Sequence, residues 1–301
     1  MARRKFSWTP GNLEKLRQVQ IILEQLHQYK PLTLRQVFYQ LVGKGIIPNT
    51  VSQYTMLSGL LKHARLTGRI HWDDIEDRVR TFHNLTGYDD QSSFLDTELD
   101  NFLEGYRLDL MQDQDIYLEI WIEKDALSSI FTREAIKYSI PVVVCRGFSS
   151  VSFLNDYATR ARYYSGLNRT PVISYWGDFD PSGIEMFNAM QTTLKDEFNI
   201  SNIRYIRSGL LLDDIKKYNL PADPDALKLS DTRAKAHLEK YGSLAVELDA
   251  LSPPDLVNKI NNEINKLIDR DRYNLKLMSE REHIKQLTQI KEKVQDYIIN
   301  L

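Results

Sequence analysis

Ile116-Tyr117-Leu118-Glu119-Ile120-Trp121-Ile122, followed at once by Glu123-Lys124-Asp125, and Pro171-Val172-Ile173-Ser174-Tyr175-Trp176, followed by Gly177-Asp178-Phe179-Asp180-Pro181-Ser182-Gly183, decide the fold class of this 301-residue chain. Each is an apolar run of strand length that stops at acidic and turn-forming residues. Around them the pattern alternates. A helical period at about 126–138 leads to the run at 141–145, a second at about 150–164 leads to the run at 171–176, and a third at about 183–197 leads to Ile-Arg-Tyr-Ile at 203–206. Strand and helix in alternation mean a parallel sheet with helices on its faces, so the class is α/β.

Upstream the pattern changes. Thr9-Pro10 is an N-cap and first-turn pair, and Leu13, Leu16, Val19, Leu23 and Leu26 follow at helical spacing. Thr33-Leu34-Arg35-Gln36 has the form of a capping box and opens a short helix ending near Gly43. Thr50-Val51-Ser52-Gln53 repeats the device and starts a third helix to about Leu66, with Gly68 as its stop and Arg69-Ile70-His71-Trp72 extended beyond. Three short helices and an extended piece suggest a helix-turn-helix with a wing over residues 1–82. Residues 83–112 read as an acidic connecting helix, because Phe94, Leu95, Leu99, Phe102, Leu103 and Tyr106 keep a helical period. Residues 113–301 form the α/β domain. It ends in helices, one opened by Ser252-Pro253 and one carrying the stripe Ile284, Leu287, Val294 and Ile298, free to pack on the body or on a second subunit.

Composition agrees with a globular chain. With 42% hydrophobic and 27% charged residues, 13 Gly and 10 Pro, disorder and collagen-like arrays are excluded. No stretch reaches the roughly 18 apolar residues of a membrane span. The single cysteine, Cys145, rules out disulfides within the chain and points to a reducing compartment, cytoplasmic or nucleoid-associated. The net charge of −2 hides an asymmetry: residues 1–72 hold eleven Lys or Arg and two acids, so they carry +9 and the remainder −11. A basic module on an acidic body fits a domain docked on double-stranded DNA, with a solvated basic surface as the alternative. At 100° per residue, Leu57, Leu60, Leu61 and Ala64 of the third helix gather on one side, while Ser52, Thr55 and Lys62 point away and Arg65 flanks them. A face this small, polar and basic suits a DNA groove, with Lys62 and Arg65 on phosphates.

Parallel sheets place ligands beyond the carboxyl ends of their strands. Asp178 and Asp180 are two apart on such an end, and Glu123 stands at another, so three carboxylates can hold one hard cation, Mg²⁺. Asp-x-Asp alone is weak, since Asp is common in turns and at N-caps. Haloacid-dehalogenase-like phosphatases use the same pair, but on the first strand of their fold, whereas here it follows a later one. In the second helix, Tyr39 lies about 130° from the centre of the core face formed by Leu34, Val37, Phe38 and Leu41, which separates it from a routine core aromatic. Arg35 is one turn earlier on the same flank, where it could bind a phosphate and favour the ionised phenol.

Glu-Lys after one strand and Asp-x-Asp-Pro-x-Gly after a later one resemble the Toprim domain of topoisomerases, primases and related nucleases. Preceded by an Arg-x-x-Phe-Tyr helix in a winged-helix module, the set resembles the A subunit of type IIB topoisomerases, the topoisomerase VI family, and its meiotic double-strand-break relatives. The likeness covers about residues 30–250. It implies Tyr39 as nucleophile, Glu123, Asp178 and Asp180 as magnesium ligands, and a homodimer in which the tyrosine of one subunit works with the metal of the other. Arg146-Gly147-Phe148-Ser149 is similar to the family's Lys-Gly-aromatic-Pro turn, with Arg146 a DNA contact. Family A subunits meet a B-type ATPase subunit through an N-terminal extension. Here one helix precedes the Tyr39 helix, so the chain resembles the compact mini-A form associated with viruses and mobile elements.

The expected activity is therefore Mg²⁺-dependent DNA cleavage by tyrosine transesterification, giving 5′-phosphotyrosyl double-strand breaks. Two rivals stay open: a Toprim nuclease that hydrolyses DNA with metal-bound water, and a non-catalytic DNA-binding protein.

Overall fold

A computed structural model describes residues 6–76, 87–147, 150–222 and 234–299. Helix α1 (Pro10–Gln25) is capped by Thr9, whose hydroxyl accepts from Asn12 N, and has Pro10 in its first turn. Helix α2 (Leu34–Gly43) has both halves of the expected capping box between Thr33 and Gln36. In α3 (Val51–Leu66) only the Thr50 half forms, with Gln53 N donating to Thr50 Oγ1. Leu57, Leu60, Leu61 and Ala64 are buried while Ser52, Thr55 and Lys62 are exposed, as the helical period requires.

The expected extended wing piece is corrected. Arg69–Trp72 is not a strand: the chain turns, runs through a short 3₁₀ segment at Trp72–Asp74 and makes one parallel bridge from Ile75 to Leu32. Leu32 and Ile75 are both buried, so the segment closes the three-helix core rather than projecting from it. Residues 77–82, where the wing would continue, lie outside the described residues.

The connecting helix is also shorter than its apolar period. Among its described residues, 87–112, only α4 (Gln91–Asp100) is helical, followed by turns to Gly105, and Phe94 and Phe102 are exposed; residues 83–86 lie outside the described residues. Acidic Glu98 and Asp100 sit at its carboxyl end, where the helix dipole disfavours negative charge, and Gly105 supplies no helical preference.

From here the elements follow the expected alternation: β1 (Ile116–Ile122), α5 (Ser128–Ala135), β2 (Val142–Val144), α6 (Val151–Gly166), β3 (Thr170–Trp176), α7 (Pro181–Asp196) and β4 (Arg204–Arg207). They continue into α8 (Leu212–Tyr218), α9 (Ala234–Tyr241), α10 (Pro253–Leu267) and α11 (Arg270–Ile299). The four strands are parallel in the order β2-β1-β3-β4. Both central strands are mainly apolar because both of their faces are covered. Leu118, Ile120, Ile122, Val172 and Trp176 face a core shared with α1, α2, α5 and α10, whereas Tyr117, Trp121, Ile173 and Tyr175 face α6 and α7. Glu119, fully buried on the second face, accepts from Tyr117 Oη at 2.5 Å, Trp121 Nε1 at 2.9 Å and Arg160 Nε at 2.7 Å, which offsets the cost of its burial.

The first core runs without a break from Leu16 to Tyr273, so the N-terminal helices and the α/β body share one interior. The sequence divisions at 82 and 113 therefore mark changes of pattern, not separate cores. Helix α11 docks on the body through its first half: Tyr273 is buried, Glu280 accepts from Leu108 N, and His283 Nδ1 is 2.6 Å from Tyr106 Oη. Of its stripe, Leu287 and Ile298 are half-buried, whereas Ile284 and Val294 are exposed.

Gly209 crosses the sheet end with no room for a side chain: a Cβ would lie 2.5 Å from Gly177 O and 2.6 Å from Gly177 N. Both are backbone atoms that cannot swing aside. Gly209→Ala is expected to lower unfolding free energy by about 2–3 kcal/mol, read as the midpoint in urea. Gly59→Ala in α3, where nothing lies within 4 Å, should be neutral or slightly stabilising in the same assay.

Candidate active site

The strand order places a topological switch point between β1 and β3, because the chain leaves β1 toward β2 on one side and passes to β3 on the other. Such a point opens a crevice at the carboxyl ends of the two strands. Glu123 follows β1 and Asp178 follows β3, and Glu123 N donates to Trp176 O at 3.0 Å, so the two acids are neighbours. Glu123 Oε2 accepts from Asp178 N at 3.1 Å. Asp178 is buried and held at both oxygens, Oδ1 by Leu248 N at 2.9 Å and Oδ2 by Lys124 Nζ at 2.5 Å. Asp180 is the N-cap of α7, with Oδ1 accepting from Gly183 N at 2.6 Å and Pro181 in the first turn behind it. Its capping role is thus met, beside whatever else it does.

Two glycines make this crowding feasible. A Cβ on Gly177 would stand 2.8 Å from Glu123 Oε2, and one on Gly183 would stand 3.0 Å from the same oxygen and 3.2 Å from Asp180 Oδ1. Burial and then the Asp178 charge push the Glu123 carboxyl up to about 7, against the opposing pull of the Asp178 N–H and Lys124. Burial raises Asp180 too. Arg207, itself lowered by burial, donates to Asp178 O at 2.6 Å and to Leu210 O at 2.7 Å, which fixes the turn.

Three carboxylates are hard oxygen donors, and two of them resist ionisation as they stand, which a bound cation would relieve; in donor chemistry the residues fit magnesium. In placement, Lys124 supplies the positive charge. Among the described residues no three acidic, histidine or cysteine groups converge on one point. The space between Glu123, Lys124, Asp178 and Asp249 is a cavity of about 10 Å³, room for about one water.

The helix α2 residues meet this crevice from above. Tyr39 is buried, 5% exposed, which corrects the expectation from its helical angle. The flank opposite the three-helix core is covered as well, by the segment 246–250 that follows α9. Its phenol donates to Glu247 Oε2 at 2.7 Å. Arg35 does lie on the same flank, 5.8 Å from the Tyr39 ring centroid, but its guanidinium is half-buried and already paired with Glu247 and, at 3.1 Å, with Asp249. Asp249 is wholly buried and raised by that burial, with Arg35 and then Lys124 working against the rise. Glu247 Oε1 is 3.2 Å from Lys124 Nζ, so one chain of contacts runs from Tyr39 through Glu247 and Lys124 to Asp178. Beside Tyr39 and Arg35 a cavity of about 170 Å³ opens between Phe38, Asn49 and Tyr54.

Glu247 and Asp249 are the residues that reading the sequence missed. The signal was there in Ala245-Val246-Glu247-Leu248-Asp249-Ala250, two acids two apart in an apolar stretch, the spacing of Asp178 and Asp180. The remaining expected DNA contacts are not in the contact chain from Tyr39 to Asp178. Ser52, Thr55 and Lys62 are exposed on α3. Arg65 is half-buried, stacked on Trp72 at 5.3 Å and donating to Ile75 O at 3.4 Å, which corrects its expected role as an open phosphate ligand. Arg146 is exposed in a left-handed turn (φ 50°) before Gly147 (φ 95°), 3.5 Å from Asp125 Oδ2; Phe148 and Ser149 lie outside the described residues.

No protein-family model matches the chain, and no curated protein matches it significantly. The structure defines an α/β protein with a four-stranded parallel sheet, and no described helix is long and apolar enough to cross a membrane.

Proposed function

We propose that this chain cleaves double-stranded DNA by tyrosine transesterification, in the manner of type IIB topoisomerase A subunits, with Tyr39 as nucleophile. The observation that carries the reading is the gathering of Tyr39, Arg35, Lys124 and Asp178 into one contact chain at the sheet's switch point, from segments more than fifty residues apart. A buried phenol tied to a carboxylate and an arginine next to a cluster of strand-end acids is more than packing needs. Tyr39 attacks the backbone phosphate, the 3′-oxygen leaves, and a 5′-phosphotyrosyl end results. Arg35 steadies the phosphate once it exchanges its carboxylate partners for phosphate oxygens. A magnesium ion held by Glu123, Asp178 and Asp180 would offset the charge that builds on the phosphate. Two copies, as a homodimer, cut the two strands, each with Tyr39 beside its own chain's acids, whereas the family likeness implied a tyrosine that works with the partner's metal.

The burial of Tyr39 favours the rival reading, a Toprim-type nuclease with water as nucleophile, to which the phenol is dispensable. Incubating the protein with internally labelled supercoiled DNA and Mg²⁺, then denaturing it, tells the two apart. Label retained on protein, and lost when EDTA is present from the start, is the expected outcome; nicked DNA with no retained label would replace transesterification by hydrolysis.

The basic three-helix unit is the proposed DNA platform. Lys62→Ala should weaken binding to unrelated sequences about equally and reduce the salt slope by roughly one phosphate contact. Arg65→Ala should change the slope less, since its guanidinium is already committed to Trp72 and Ile75. Titrations of Kd against salt for both variants check this, and equal slopes for wild type and Lys62→Ala would place the DNA elsewhere.

A further inference from the structure

We propose that Glu247 is the group that takes the proton from Tyr39, a catalytic role that rests on the transesterification reading. Its Oε2 is the acceptor of the Tyr39 hydroxyl at 2.7 Å, so it touches the reacting oxygen itself. The segment that carries it is pinned on both sides. Val246 makes an antiparallel bridge to Phe179, and Leu248 N donates to Asp178 Oδ1 at 2.9 Å, so the side chain between them is held over the end of β3. The charged and titratable groups that face it are Arg35 and Tyr39 from α2 and Lys124 from the end of β1, with Asp249 behind Arg35 and Asp178 behind Lys124. Asp249 is a poorer candidate, since it is wholly buried behind Arg35.

Glu247 sits between two cations, Arg35 and Lys124, and this sets when it acts. A DNA phosphate that draws Arg35 to itself takes one of these partners away and leaves the carboxylate free to receive the Tyr39 proton as the substrate arrives. In the step itself, the bond from Tyr39 Oη to phosphorus forms and the bond from phosphorus to the 3′-oxygen breaks. The phenolic proton passes to Glu247 Oε2, the leaving 3′-oxygen takes a proton from water, and the hydroxide so made collects the proton from Glu247. The net change is one proton moved from Tyr39 to the 3′-oxygen.

Glu247→Gln keeps the size of the side chain and an acceptor for the hydroxyl but cannot accept a proton, so it separates base catalysis from positioning. The experiment measures the rate of adduct formation by the full chain on labelled duplex with Mg²⁺ from pH 6 to 9.5, for wild type, Glu247→Gln, Glu247→Asp and Tyr39→Phe. At pH 7 the Gln protein should be slower by about 10²–10³-fold, with its rate rising as hydroxide replaces the lost base and with DNA affinity unchanged. Glu247→Asp keeps the charge between Arg35 and Lys124 but withdraws the oxygen, and should slow the step by about tenfold; it serves if the Gln protein fails to fold. A Gln protein, or in its absence an Asp protein, with the wild-type rate and pH profile would overturn the proposal while leaving the tyrosine mechanism intact. Wild-type protein that cuts DNA, or leaves it whole, without any adduct would overturn both.

Discussion

Tyr39→Phe is expected to remove DNA cleavage and the protein–DNA adduct together, by at least about 10³-fold, because a transesterase needs the phenolic oxygen as its nucleophile. The substitution keeps the ring, its edge-to-face contact with Phe38 at 5.4 Å and its place in the core. It removes the hydrogen bond to Glu247, which remains paired with Arg35 and Lys124. The expected loss of stability is therefore only about 1 kcal/mol, and DNA affinity should be unchanged because α3 is untouched. Label retention after denaturation and the thermal midpoint, measured on the same preparation, check both halves. A Tyr39→Phe protein that still nicks DNA at the wild-type rate would make water the nucleophile.

Glu123→Gln should act in opposite directions on stability and on activity. The Glu123 carboxyl is raised to about 7 by burial and by Asp178, above its usual value near 4.5 in the unfolded chain. The folded state thus binds a proton that the unfolded state gives up. The stability from this group is fully present below about pH 4.5 and is lost as pH rises through about 7, a change of roughly 3 kcal/mol if expressed in full. Glutamine is uncharged at every pH and keeps an oxygen for the Asp178 N–H. In metal-free buffer the variant should differ little from wild type at pH 5 and exceed it most at pH 8, while cleavage in Mg²⁺ falls below detection. Urea unfolding at the two pH values with EDTA tests the first part. Equal stability differences at both values would mean that Glu123 is already ionised in the folded chain. The result expected here is that of a site held at a cost to the fold, with the like charges of its strand ends kept together against their repulsion.

The elements were legible wherever their cause is local. A helix period, an N-cap or a strand run depends on residues within about four positions of one another, and Thr9, Thr33, Thr50, Ser252 and Asp180 all cap the helices that they announce. The parallel sheet was equally open, since β1 and β3 are buried on both faces and are mainly apolar. The apolar period at 94–106 misled because period alone does not ensure packing: with acids at the carboxyl end and Gly105 beyond, the helix stops at Asp100.

What the sequence determined by itself was the α/β class, the helices and strands with their caps, the charge imbalance between the two ends, and the placement of Glu123, Asp178 and Asp180 at strand ends. Only the tertiary structure decided what those groups meet. The angle of Tyr39 on α2 says which way the ring points from its own helix, not what covers that side. Here the cover is a segment 208 residues away in the chain, which brings Glu247 to the phenol and engages Arg35. Such a contact is set by how whole elements pack, through apolar surface that is alike at many positions, so no spacing within α2 or within 245–250 specifies the pair.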